Sequence, residues 1–112
     1  MNSAYRWGDV ITLDFPYSNL AGSKLRPAVI ISRKDALTPY DDFLLLALTT
    51  RLQELPENYR LEQWQAAGLA YPSSLKPNII TVESYLIVKK IGSLSGNDRD
   101  RLKHLLASIT ME

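Results

Sequence analysis

Between residues 11 and 15 apolar and polar side chains alternate (Ile11, Thr12, Leu13, Asp14, Phe15), with the period of two that a half-buried strand requires. The run Ala28, Val29, Ile30, Ile31 has no such alternation and suits a strand covered on both faces. Apolar segments of similar length complete a set of predicted strands at 9–15, 27–32, 43–49, 59–62, 78–83 and 86–91. Turn-forming residues separate them: Pro16 with Asn19 and Gly22, Thr38-Pro39 with Asp41 and Asp42, Pro56-Glu57-Asn58, and Pro72-Ser73-Ser74. Many short strands with no long helices between them predict a mainly β fold, a small antiparallel barrel.

The period changes at the C-terminus. Leu102, Leu105, Leu106 and Ile109 fall at i, i+3, i+4 and i+7, one apolar face of a helix over 96–109 that packs its stripe on the barrel. Ser95 and Asp98 have the spacing of a capping box, with Asp98 in the first turn where the helix dipole favours an anion. The segment 63–68, Gln-Trp-Gln-Ala-Ala-Gly, predicts a short helical turn ended by Gly68, with Trp64 packing rather than binding.

A chain of 112 residues is expected to be a single domain, 1–112. It contains no cysteine, which removes disulfides, thiolate metal sites and a cysteine nucleophile together. The N-terminus lacks the apolar core of a signal peptide, and no stretch approaches the ~20 apolar residues of a membrane span, so a soluble cytoplasmic protein with no membrane partner is expected. The net charge is +1 and evenly spread, with six basic and five acidic residues in 1–53 and seven of each in the remainder. Composition therefore does not announce a nucleic-acid binder, and any such site must come from local clusters such as Lys24 with Arg26.

Several chemistries are excluded by what the chain lacks. His104 is the single histidine, so one chain cannot supply a two-histidine acid/base pair. No acidic or histidine cluster has metal-ligand spacing, Asp41-Asp42 reads as a turn, and neither a G-x-S-x-G elbow nor a P-loop is present; no metal or cofactor is expected. What stands out is Arg26-Pro27. Proline fixes its own φ and drives the preceding residue into extended backbone, so the guanidinium is presented from a stiff position at a loop mouth, as an anion-binding group should be. Taken alone, such an arginine more often covers the core with its stem while its head is solvated. Thr49, with Thr50 beside it, closes the apolar run from Phe43 to Leu48 and places a hydroxyl at a strand end. Asp9 and Asp14 read as structural residues and as partners for Arg26.

Four blocks in order carry a resemblance to a known family. They are Gly8-Asp9-Val10 through Leu13-Asp14-Phe15-Pro16 to Arg26-Pro27-Ala28-Val29-Ile30-Ile31-Ser32; Phe43 to Thr50; Ala67-Gly68-Leu69 with Pro72-Ser73, Lys76-Pro77 and Ile80-Thr81-Val82; and Lys90-Ile91-Gly92-Ser93-Leu94-Ser95. Together they resemble the MazF/PemK toxins of type II toxin-antitoxin systems over roughly residues 7–109. The resemblance implies an SH3-like barrel with a terminal helix, shared with CcdB-like toxins. It also implies a sequence-specific, metal-independent endoribonuclease that cuts single-stranded mRNA by 2′-hydroxyl attack and so inhibits growth. Arg26 matches the family's active-site arginine, with a further part in proton transfer, and Thr49 the hydroxyl residue paired with it. Lys24, Thr50, Ser73 and Lys76 are the expected RNA-binding residues. A cognate MazE-like antitoxin and a homodimer follow from the same resemblance. The alternative is a CcdB-like toxin that poisons gyrase through protein contacts without cutting RNA; it would need neither Arg26 nor Thr49 at a groove.

Overall fold

The computed structural model describes residues 5–15, 24–32 and 42–110, apart from the side chains of Phe15, Lys24 and Thr110. Five strands form one antiparallel sheet: β1 (Asp9–Phe15), β2 (Lys24–Ile30), β3 (Asp42–Thr49), β4 (Ser74–Glu83) and β5 (Ile87–Ser93), in the spatial order β4-β3-β2-β1-β5. The helix α1 (Gly96–Thr110) follows β5. The fold is mainly β with a C-terminal helix, as the hydrophobic pattern predicts. Among the described residues β4 and β5 are not paired, so the sheet is an open form of the expected barrel. No helix among these residues is long and apolar enough to cross a membrane.

Alternation along the strands sorts side chains onto two packed faces. On one, Val10, Val29 and Leu46 meet Leu102 and Leu105 of α1. On the other, Ile11, Leu13, Ala28, Ile30 and Leu45 form a second cluster, closed by Phe43, against which Tyr5 packs edge-on at 5.7 Å between ring centres. Strand β2 contributes to both faces, which is why its sequence is apolar without interruption. Each large aliphatic side chain so buried contributes about 1.5–3 kcal/mol. The helical stripe runs past its support at the last position, where Ile109 is 40% exposed.

Strand β2 runs Lys24–Ile30 and not 27–32, so Arg26 lies inside the strand opposite Leu13 and not at the expected loop mouth. Two further expectations are corrected. Residues 59–62 are not a strand: Glu57–Tyr59 is a single 3-10 turn, and Arg60 makes an isolated bridge to Ser74. The N–H groups of Glu62 and Gln63 then donate to the Asp98 carboxylate, at 2.9 Å each, instead of to a neighbouring strand. Asp98 also completes only half of a capping box. Its N–H donates to Ser95 Oγ at 3.3 Å, while its fully buried carboxylate turns to the 62–63 segment and pins it to the first turn of α1.

Strand β4 begins at Ser74, four residues before the predicted start, although it contains Pro77. A proline is tolerated there because β4 is an edge strand and Pro77 falls between Leu75 and Ile79, where the register with β3 is interrupted and it has no ladder partner. The turn over 64–68 ends as predicted at Gly68, whose φ is +86°, and Trp64 packs half-buried on the first cluster. A Cβ on Gly68 would overlap the carbonyl oxygen of Ile91, and one on Gly92 would overlap that of Ala67. The turn thus crosses β5 backbone to backbone, each glycine facing the carbonyl just before the other.

Candidate active site

Pro27 creates the setting of Arg26. Strand β2 pairs with β3 through Ile30–Leu45, Val29–Leu46 and Ala28–Ala47, and the ladder stops there, one residue short of Pro27, which has no N–H to give. On its other side β2 continues along β1, with Thr12 opposite Pro27 and Leu13 opposite Arg26. Beyond Ala28 and Ala47 the two strands share no ladder, and a hollow of about 280 Å³ lies between them, lined by Arg26, Pro27, Ala47, Leu48 and Thr49 among others.

Strand periodicity separates the two threonines. Ala28 and Ala47 are directly opposite, so Arg26, two residues before the one, and Thr49, two residues after the other, lie on the same face of the sheet and across from each other. Thr50 lies past the strand end, exposed, and lines an adjoining hollow. The Thr49 hydroxyl is oriented by its own turn: Oγ1 accepts the Arg51 N–H at 3.0 Å. Its remaining proton is left for an acceptor in the hollow.

Three cationic side chains converge here. Arg26 is exposed and makes no ion pair among the described residues. Arg51 stands 3.7 Å from Glu54 in a solvent-exposed pair of the kind that contributes about 0–1 kcal/mol and yields easily to another anion. Lys76 comes from β4, where the register passes from Leu46–Ile79 to Leu48–Leu75; two steps on β3 face four on β4, a bulge that carries Lys76 and Asn78 to the lining. With Arg26, Arg51 and Lys76 against Glu54, the lining is suited to a polyanion.

The adjoining hollow, about 520 Å³, shares Arg26, Thr49 and Arg51 and adds Leu25, Thr50, Tyr71 and Ser73. Ser73 is 4% exposed and its hydroxyl donates to the Tyr71 carbonyl at 2.8 Å. Lys24 opens β2 opposite Phe15, and its side chain lies outside the described residues. Asp9 is not a partner of Arg26: its carboxylate accepts from Arg6 N–H at 2.8 Å and Ser93 Oγ at 3.0 Å, with Lys90 Nζ at 3.4 Å. Asp14, opposite Leu25, makes no ion pair with Arg26 either. His104 lines a separate hollow with Tyr59 and Arg101. Sequence reasoning missed Arg51, Glu54, Asn78 and Tyr71. The position of Arg51 directly after Thr49-Thr50 at a strand end was a usable signal, whereas Asn78 reaches the lining only through the bulge.

Over residues 6–110 the chain matches the model of one protein family, described as the PemK-like, MazF-like toxin of type II toxin-antitoxin systems. The chain belongs to this family. Solved structures carry the same MazF-like fold. An endoribonuclease in complex with its cognate antitoxin, from a mycobacterial species, is 20% identical, with 96% of this chain and 93% of that chain covered and a TM-score of 0.69. Mycobacterium tuberculosis toxin MazF-mt6 is 18% identical over 89% of this chain and 93% of that one, with a TM-score of 0.69. MazF from Deinococcus radiodurans is 14% identical over 96% and 97%, with a TM-score of 0.70. At these identities the likeness is one of fold. No curated protein matches the MazF-like chain in sequence.

Proposed function

We propose that this MazF/PemK-like chain, acting as a single domain, is a sequence-specific endoribonuclease that cuts single-stranded mRNA without a metal ion. The observation that carries the reading is the placement of Arg26 and Thr49 across from each other on one sheet face, at a hollow whose other cations are Arg51 and Lys76. The RNA's 2′-hydroxyl gives up its proton as its oxygen attacks the adjacent phosphorus, the bond to the 5′-oxygen breaks, and that leaving oxygen takes up a proton, so the 2′,3′-cyclic phosphate and the 5′-hydroxyl form with no net proton consumed. Charge develops on the phosphate oxygens, where the Arg26 fork can bind two of them and the oriented Thr49 hydroxyl can donate to one. Lys24, Thr50 and Lys76 hold the flanking strand, while Ser73, whose proton is already given to the Tyr71 carbonyl, serves binding by shaping the hollow.

The same groove serves the antitoxin. The likeness to an endoribonuclease solved with its cognate antitoxin supports a MazE-like partner whose acidic, disordered segment folds across Arg26 and competes with RNA. Two copies of the chain pair to form the complete groove, and the enzyme works in the cytoplasm, where its mRNA substrate is.

The deciding experiment uses pure protein and a defined RNA. Cleavage is expected to persist in EDTA and in His104→Ala, to leave a 2′,3′-cyclic phosphate and a free 5′-hydroxyl, and to fail when the scissile nucleotide is 2′-deoxy. Efficient cutting of the deoxy substrate, or loss of activity on chelation, overturns the mechanism.

A further inference from the structure

Tyr71 is 67% exposed and Leu25 is 56% exposed, and both line the hollow that adjoins Arg26 and Thr49. Neither adds to the two core clusters, and among the described residues Tyr71 has no ring partner and its hydroxyl no hydrogen bond. Its backbone, in contrast, is held firmly. Pro72 restricts Tyr71 to extended backbone, and Ser73 Oγ donates to the Tyr71 carbonyl at 2.8 Å. The molecule therefore presents a large flat ring to solvent from a stiff support, next to two guanidinium groups, Arg26 and Arg51.

Packing explains nothing about that arrangement, but single-stranded RNA recognition does. Cations track the phosphates while an aromatic face receives an unstacked base, and every base has a π-face to offer. We propose that Tyr71, backed by Leu25, is a stacking platform that seats one unpaired base beside the scissile phosphate and so helps to select which phosphodiester reaches Arg26 and Thr49. This rests on the ribonuclease reading given above and adds to it a base-binding residue outside the reacting centre.

The test is a binding scan with an RNA made non-cleavable by 2′-deoxy substitution at the scissile nucleotide, carrying one abasic position at a time. Tyr71→Ala, at an exposed site, is expected to leave the thermal midpoint unchanged and to weaken binding about tenfold or more, while Tyr71→Phe, which keeps the ring, stays near the wild type. At one position, and only there, the abasic RNA should weaken wild-type binding by the same factor and leave Tyr71→Ala no further loss. A Tyr71→Ala protein that binds like the wild type, or a penalty equal at every abasic position, overturns the platform. So does a loss confined to an antitoxin peptide, which would give the ring to the protein partner. If Arg26→Ala still abolishes cleavage in those cases, the ribonuclease reading stands without the platform; if wild-type protein neither binds nor cuts RNA, both fall.

Discussion

A threonine hydroxyl carries one proton and two lone pairs, and Thr49 commits a lone pair to the Arg51 N–H. It faces the hollow as a donor, which is what a phosphate oxygen gaining charge needs. Thr49→Val, similar in shape but without the hydroxyl, is expected to lower single-turnover RNA cleavage by about 10² or more, and Thr49→Ser to retain most of it. Arg26→Ala should lose at least as much, and Arg26→Lys should recover little, because an ammonium lacks the planar fork that grips two oxygens. All four variants should keep the wild-type circular dichroism spectrum. The places of Arg26 and Thr49 at one hollow were legible from local rules, a residue before proline and a hydroxyl ending an apolar run, whereas a part for either in cleavage was implied only by the family resemblance. Arg51 was half legible, one residue past that run. Asn78 was not, since its side depends on a bulge that shifts register between two strands distant in sequence.

At the scale of elements, the same contrast explains the segment 59–62. Tyr59, Arg60, Leu61 and Glu62 alternate as a strand would, and nothing nearby contradicts it. The competing acceptor is Asp98, brought from the helix by the fold, and a buried carboxylate that takes two backbone N–H groups outweighs an unformed ladder. Asp98→Ala is accordingly expected to cost about 2–4 kcal/mol of unfolding free energy, measured by urea titration, because two backbone donors lose their acceptor. Asp98→Asn should cost less, since its carbonyl can still accept from one of them. Strand β1 and α1 were readable from period, as the alternation at 9–15 and the leucine stripe show, while β2, β3 and β5 were readable as apolar runs between turn residues, with bounds that shift by up to three residues. The early start of β4 was not, because tolerance of Pro77 depends on which strand lies at the edge.

For the whole molecule, the proposed pairing of two copies predicts a sedimentation mass near twice the 12.7 kDa of one chain at assay concentrations. A monomer with full nuclease activity would remove that part of the reading. The crossing of the 64–68 turn over β5 bears on how such a chain changes through descent. A methyl group at Gly68 or at Gly92 forces apart the same two backbones, so either substitution does the damage that the other would repeat. Gly68→Ala should be the worse single change, because its backbone also sits at positive φ. The double variant, measured beside both singles, should then be scarcely less stable than Gly68→Ala alone, a strongly non-additive pair. Natural variation would treat the two glycines as one locus: a lineage that has lost the first has lost most of the selection that kept the second.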